Sequence, residues 1–351
     1  MFKIQTYTGG TMGIQTSPQL TFSLYESIDQ MMMYERYYRD GAWGEGALVP
    51  FHNIELSPAA NILNYGQGVF EGMKAYRTAQ DKIVLFRPEM NARRFRKSCR
   101  KLAIPEMPEE EFLEAVRQVV LANRDFIPQS EGGKYSLYIR PVCIGIEPML
   151  GVRASREYLF YIYASPVGPY FDKIRPVRLM ITDVHRAATN GTGDAKAVCN
   201  YAVTMRPVGE AKKKGLDGVI FLDTVYDRFV EEANAANLFA VLDNDTLVTP
   251  QLGTILPGVI RDSILRIGRE LLGMTVLEAE LRIEELCLHA KECFLCGTGA
   301  IVTPVSEIHW KNKVYSVNKN EYQVSRRVHE QLLKIQLQEV EDPFGWVVEL
   351  T

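Results

Sequence analysis

The chain has 351 residues, of which 46% are hydrophobic and 24% charged, and its formal net charge is −3. Such a length and balance suit a soluble globular protein with a sizeable core and two domains. They exclude a strong global field for nucleic acid or an anionic membrane, and no run of about 20 apolar residues is present to span a bilayer.

The first thirty residues show no basic stretch followed by an apolar one, so no signal peptide is expected. Residues 1–20, rich in Thr, Gly, Gln and Ser, read as a loose lead-in. The MMMY run at 31–34 reads as buried packing. In NILNYGQGVFEGMKAYR, residues 61–77, glycines at 66, 68 and 72 surround Phe70 and permit close backbone packing. The spacing lacks the preceding strand and following acid of a dinucleotide site. A short apolar strand over 83–86 ends at Arg87-Pro88, and the proline favours a helix over 88–102. That helix carries Arg93, Arg94, Arg96, Lys97, Arg100 and Lys101, which read as a solvated face without the aromatic interleaving of a nucleic-acid site.

A second helix over 109–123 has Phe112, Val116, Val119 and Val120 on one side. Strands follow over 135–144 and 158–164, the first placing Tyr138 and Arg140 on one face. Prolines at 166, 169 and 176 mark a linker over 167–176, dividing a domain of residues 1–166 from one of 177–351. Beyond it come a strand over 177–182, the turn NGTGDAK, and a helix running to Lys214, closed by KKKG. Strands over 218–223, 229–242 and 246–249 precede a helix over 258–272. A strand over 275–280, a helix over 283–290, a strand from Cys293 into GTGAIVTPVSEI and a last helix over 321–338 complete the chain.

Six dispersed cysteines suit a reducing compartment, and Cys293-Phe-Leu-Cys296 reads as part of a buried strand, since no second pair lies nearby. No His/Cys grouping has metal-ligand spacing and no GxSxG elbow appears. Lys196 after Gly191-Thr192-Gly193 is open to three readings: a phosphate contact, a Schiff-base nucleophile or a solvated lysine. Leu256-Pro257-Gly258-Val259-Ile260-Arg261 opens a helix whose free N–H groups suit an anion. Gly297-Thr298-Gly299 offers a hydroxyl and backbone donors. Of Glu231 and Glu232, adjacent on a strand, at most one can face a site. Lysine, carboxylate, tyrosine and several anion-binding turns together fit a phosphorylated carbonyl cofactor, pyridoxal 5′-phosphate.

Several segments carry a resemblance. Glu232-Ala-Asn-Ala-Ala-Asn237-Leu238-Phe239, Leu247-Val248-Thr249 and Leu256-Pro257-Gly258-Val259-Ile260-Arg261 stand in order, and NYGQGVFEGMKAYR, LFRPEMNARR, SLYIRPVCIG, EPMLGV and VGPYF precede them. From about residue 20 to 340 the sequence resembles the branched-chain amino-acid aminotransferases, fold-type IV pyridoxal-phosphate enzymes. The resemblance implies an α+β chain with a smaller N-terminal α/β domain and a larger C-terminal pseudo-barrel. It implies ping-pong, Schiff-base transamination of L-leucine, L-isoleucine and L-valine with 2-oxoglutarate in a cytoplasmic homodimer or higher oligomer. A D-amino-acid transaminase or an aminodeoxychorismate lyase on the same fold is the alternative.

By the same resemblance Lys196 is the Schiff-base lysine, Glu232 faces the pyridine nitrogen and Tyr201 bonds the ring's phenolic oxygen. Arg87, the amides of Val259 and Ile260, and Thr298 hold the phosphate. Thr298 and Gly299 present N–H groups to the substrate α-carboxylate. Tyr65, Phe70, Tyr138 and Tyr170 wall the side-chain pocket, and Arg140 lets it accept the γ-carboxylate of glutamate. Leu150 and Val152 come from a partner subunit. Two departures stand out: Ala300 and Thr303 occupy positions of a redox CxxC in some members, and Asn234 stands where glycine is common. The glycines of NGTGDAK are expected to let the chain pass close to the cofactor.

Overall fold

The structure, a computed structural model, describes residues 20–169 and 175–350. Nearly all of the expected lead-in, the middle of the 167–176 linker and Tyr170 lie outside the described residues. In the first half the strands are β1 (Met32–Arg39), β2 (Ala42–Pro50), β3 (Gly68–Phe70), β4 (Met73–Arg77), β5 (Ile83–Phe86), β6 (Ser136–Gly145) and β7 (Tyr158–Val167). The helices there are α1 (Asn61–Tyr65), α2 (Pro88–Lys101) and α3 (Glu109–Ala122). The 61–77 stretch therefore divides into a short helix and two strands, and Gly66, left-handed at φ 69°, closes the helix.

The second half contributes β8 (Val177–Ile181), β9 (Gly218–Leu222), β10 (Val230–Ala233), β11 (Asn237–Leu242), β12 (Leu247–Pro250), β13 (Val276–Ala279), β14 (Ala290–Gly297), β15 (Ile301–Trp310), β16 (Lys313–Ser316) and β17 (Val347–Leu350). Its helices are α4 (Cys199–Ala202), α5 (Met205–Lys213), α6 (Val259–Arg266), α7 (Ile283–His289) and α8 (Gln323–Gln336). The first sheet runs β17–β5–β4–β6–β7–β1–β2 with β3 on β6. The second runs β10–β9–β8–β15–β14–β11–β12–β13 with β16 on β15.

Helices α2 and α3 cover the first sheet through Phe95, Phe112 and Phe160, whose ring centroids lie 5.0 to 6.0 Å apart. The second sheet is buried on both faces. Along β11, Leu238 and Ala240 join one core while Phe239 and Val241 join the other. The same alternation in β14 sends Cys293 and Cys296 into opposite cores, so the CxxC is two separated core thiols. Burial pushes the Cys296 thiol up to about 12.

Three differences from the expected elements have local causes. The helix expected to run unbroken to Lys214 is two helices, because Pro207 cannot sit inside a helix and instead occupies the first turn of α5. The helix from 258 narrows to α6 and continues over Ile267–Leu271 with a wider π turn. The chain's end leaves the second half: β17 pairs antiparallel with β5, and Trp346 packs on Phe86 at 5.6 Å. The Asp342 carboxylate turns the chain there by accepting the N–H groups of Phe344, Trp346 and Val347.

Candidate active site

A cavity of about 630 Å³ opens where the two sheets meet. Lys196 reaches it from a segment that runs beside β3. The Phe70 N–H donates to the Lys196 carbonyl (3.1 Å) and the Val198 N–H to the Gly68 carbonyl (2.9 Å). On its other side the Lys196 N–H donates to the Ser98 hydroxyl of α2 (2.9 Å). The backbone of this second-half lysine is thus held on two sides by elements of the first half, β3 and α2. Neither Gly191 nor Gly193 of its turn lines the cavity. A Cβ on Gly193 would lie 1.8 Å from the Thr254 carbonyl oxygen, so this glycine lets two chain segments touch. The Asn200 amide fixes the turn by donating to the carbonyls of Thr192 (2.7 Å) and Ala195 (3.0 Å).

The Lys196 ammonium donates to the Tyr201 hydroxyl at 2.8 Å and lies 4.6 Å from the Phe70 ring centroid. Burial alone would raise the Tyr201 phenol, but Lys196 and Arg186 outweigh it and hold the phenol below its ordinary value. Glu232 lines the cavity and forms an ion pair with Arg186. Both side chains are nearly fully buried, and the Arg186 guanidinium also lies 5.6 Å from the Tyr201 ring centroid. Glu231 does not line the cavity, as strand alternation requires, and burial raises its carboxyl.

One end of the cavity is built for an anion. Val259 and Ile260 line it in the first turn of α6, where no preceding helical carbonyl can accept their N–H groups. Thr298, just after β14, lines the same end. Arg87 approaches from β5 but is not part of the cavity wall. Its guanidinium donates to the Ser263 hydroxyl (2.8 Å) and pairs with Asp262 (2.7 Å), both on α6. The backbone at Arg87 is left-handed (φ 50°), a strained turn between β5 and α2 that aims the side chain at α6. Its buried Nε has no hydrogen-bond partner among the described residues.

Phe70, Tyr138 and Arg140 line the opposite end. The Arg140 guanidinium lies 4.9 Å from the Phe70 centroid and donates to the Tyr138 hydroxyl at 3.1 Å. Gly72 is required beneath this pair, since a Cβ there would sit 2.0 Å from the Tyr138 hydroxyl. Tyr65, Leu150 and Val152 are not brought into the cavity by this chain. Tyr65 is 39% exposed and its hydroxyl accepts the Gly151 N–H, while Leu150 and Val152 are 88% and 91% exposed. Five residues that sequence reasoning missed do stand at the site. Arg94, Arg186, Tyr161 and Tyr163 line the cavity, and Lys74 donates to the Gly299 carbonyl at 3.2 Å.

Residues 68–308 match the model of the amino-transferase class IV family. The chain is 42% identical over 317 residues, covering 89% of it and 75% of the relative, to the branched-chain-amino-acid aminotransferase 5, chloroplastic, of Arabidopsis thaliana. The chain belongs to the branched-chain amino-acid aminotransferases. The structure of the branched-chain aminotransferase from Thermoproteus uzoniensis with norvaline superposes with a TM-score of 0.78 at 28% identity, covering 92% of this chain and 99% of that one. The branched-chain amino acid aminotransferase from Escherichia coli gives 0.73 at 27% identity, over 91% and 99%.

Pyridoxal 5′-phosphate is the cofactor of this family, and the residues present fit it. A lysine amine enters the cavity beside a phenol, a buried carboxylate stands across from it, and a helix start supplies unpaired N–H groups for phosphate. The departure from the family at Asn234 also has a physical reading. Its φ is 36°, in the region glycine tolerates best, and its side-chain oxygen accepts the Val219 N–H at 2.8 Å. The asparagine recovers in a hydrogen bond part of what the backbone loses in strain.

Proposed function

We propose that this cavity exchanges the amino group of L-leucine, L-isoleucine or L-valine for the oxo group of 2-oxoglutarate. The observation that carries the reading is Lys196, with its ammonium on Tyr201 and facing a cavity that has an anion site at one end and an arginine among aromatic rings at the other. Bound pyridoxal phosphate supplies a reactive aldehyde and an electron-withdrawing ring.

The chain's own residues do the rest. Arg87, Thr298 and the amides of Val259 and Ile260 would hold the phosphate, and Glu232, paired with Arg186, would face the pyridine nitrogen. Tyr201 bonds the phenolic oxygen and steadies the Lys196 amine, which takes the proton from the substrate Cα. The Thr298 and Gly299 amides receive the α-carboxylate. Phe70 and Tyr138 would wall an aliphatic side chain, and Arg140, beside both rings, would meet the γ-carboxylate of 2-oxoglutarate or glutamate.

Leu150 and Val152 complete the pocket of a second copy in a homodimer. Their exposure in the single chain supports this placement. The domains of 1–166 and 177–351, joined over 167–176, belong to the same proposal, with β17 returning to the first. A cytoplasmic location is the matching compartment, supported by six unpaired cysteines.

The test mixes the cofactor-loaded protein with L-leucine or D-alanine and follows the cofactor's absorbance. L-leucine is expected to convert it rapidly and D-alanine not; the opposite order sinks the reading. In the same assay Arg140→Ala should slow the 2-oxoglutarate half-reaction by about ten- to a hundredfold, the worth of one charge-assisted contact, while L-leucine changes little. An unchanged 2-oxoglutarate rate removes Arg140 from its role.

A further inference from the structure

At the wall of the cavity lies a buried ion pair that the chemistry above does not use. Glu71, in the turn between β3 and β4, has no exposed surface, and Arg94 of α2 is 8% exposed. Arg94 meets Glu71 through two parallel hydrogen bonds, Nε to Oε1 at 2.7 Å and Nη2 to Oε2 at 2.8 Å. Glu71 is held in place in turn by the Asn91 amide (2.7 Å) and the Gly72 N–H (3.1 Å). Such a pair is a poor device for stability, since two charges are taken out of water and apolar residues of like volume would serve as well. The third face of the guanidinium shows another use: Nη1 donates to the Pro257 carbonyl at 3.0 Å.

Pro257 lies two residues before α6. The preceding carbonyl, Leu256, is held from the second sheet by the Asn237 amide at 3.0 Å. A Cβ on Gly258 would lie 2.1 Å from the Asn237 side-chain oxygen, so the glycine lets this clamp close. Two successive carbonyls at the entry to α6 are therefore gripped from opposite halves of the molecule. The second of these planes carries the Gly258 N–H, and together they set the direction in which the chain enters α6, and through it the aim of the Val259 and Ile260 N–H groups in the planes that follow.

We propose that Arg94, neutralised by Glu71, is a positioning residue that sets the aim of the α6 N–H groups at the cofactor phosphate. This rests on the placement of phosphate at Val259 and Ile260. Glu71 leaves the guanidinium a donor without a net charge that would compete for the anion. A lysine could pair with Glu71 as a point charge but has no planar fork to span both Glu71 and Pro257.

The experiment compares Arg94→Lys with the wild-type chain, measuring dissociation constants for pyridoxal phosphate and for pyridoxal, which has the same ring without the phosphate. In the wild type the phosphate should confer a large preference. In Arg94→Lys the constant for pyridoxal phosphate should rise about tenfold, as for one lost oriented contact, while that for pyridoxal stays within about twofold. Equal weakening of both ligands, or no change in either, overturns the inference. A wild-type chain with no preference for the phosphorylated ligand overturns the phosphate placement first, and the inference with it. Should Arg94→Lys fail to fold, the neutral pair Glu71→Gln with Arg94→Gln is read in the same way.

Discussion

Replacing Lys74 by methionine should make the cofactor-free protein more stable while weakening its hold on anionic substrates. Lys74 lies on β4, is buried, and has the Gly299 carbonyl at 3.2 Å as its hydrogen-bond acceptor. Burial pushes its ammonium from 10.5 down to about 8. Both folded and unfolded forms are charged at pH 7, so the fold bears the full shift, about 3 kcal/mol at about 1.4 kcal/mol per unit. The folded value is the lower one, so this cost is fully present below pH 8 and fades as pH rises from 8 toward 10.5. Methionine removes the charge at similar length and gives up one hydrogen bond of about 1 kcal/mol. Lys74→Met should thus gain about 2 kcal/mol at pH 7, and the gain should nearly vanish by about pH 9.5. Urea unfolding of both cofactor-free proteins at the two pH values measures it. A variant less stable at pH 7, or a gap that ignores pH, refutes the reasoning. In the loaded enzyme the same change should raise KM for 2-oxoglutarate about tenfold, because the Gly299 turn loses the cation that holds its carbonyl.

Gly193→Ala should destabilise the chain by about 2 kcal/mol or more, since its Cβ would meet the Thr254 carbonyl oxygen at 1.8 Å and backbone cannot swing aside; an unchanged urea midpoint contradicts this. Acid should loosen the segment around Glu147. Arg153 and then Arg156 hold that carboxyl down at about 2, so its contribution is present above pH 4.5 and lost as pH falls through about 2. Hydrogen exchange over residues 147–157 should accelerate in that window, and Glu147→Gln should remove the pH dependence; a profile unaltered by the substitution counts against the pair.

How far the sequence carried can be judged at single residues. Helix α3 was legible because its apolar residues recur at helical spacing and all face one core. The break before α5 was missed, because the lysine-rich end suggested one continuous helix although Pro207 cannot lie in a helix interior. Lys196 after its glycine turn and the Glu231-Glu232 pair were candidates from the residues themselves, and only the family resemblance chose among their roles. The Glu232 partner Arg186 comes from the loop after β8, and nothing local marks it among the chain's 40 basic residues. Tyr65, Leu150 and Val152 lie outside the cavity of the single chain, and the proposed homodimer would account for Leu150 and Val152 alone.

Arg94 is the instructive case, because composition and periodicity disagree there. Read as a run, 93–101 is a basic cluster and belongs in water. Read by spacing, Asn91, Arg94, Phe95, Ser98 and Cys99 form one stripe at intervals of three and four, and all five are buried. Arg93, Arg96, Lys97 and Arg100 fall off that stripe and find surface carboxylates at Glu109, Glu106 and Asp194. An arginine on a buried stripe demands a buried anion, and the sequence does contain one in Glu71. What the sequence could not supply is the third contact. Pro257 lies 163 residues away, and only the meeting of the two halves brings its carbonyl under the guanidinium. A buried charge is tolerated when a partner close in space satisfies it, as Glu71 does here, and the donor left over can then reach across the fold to the Pro257 carbonyl.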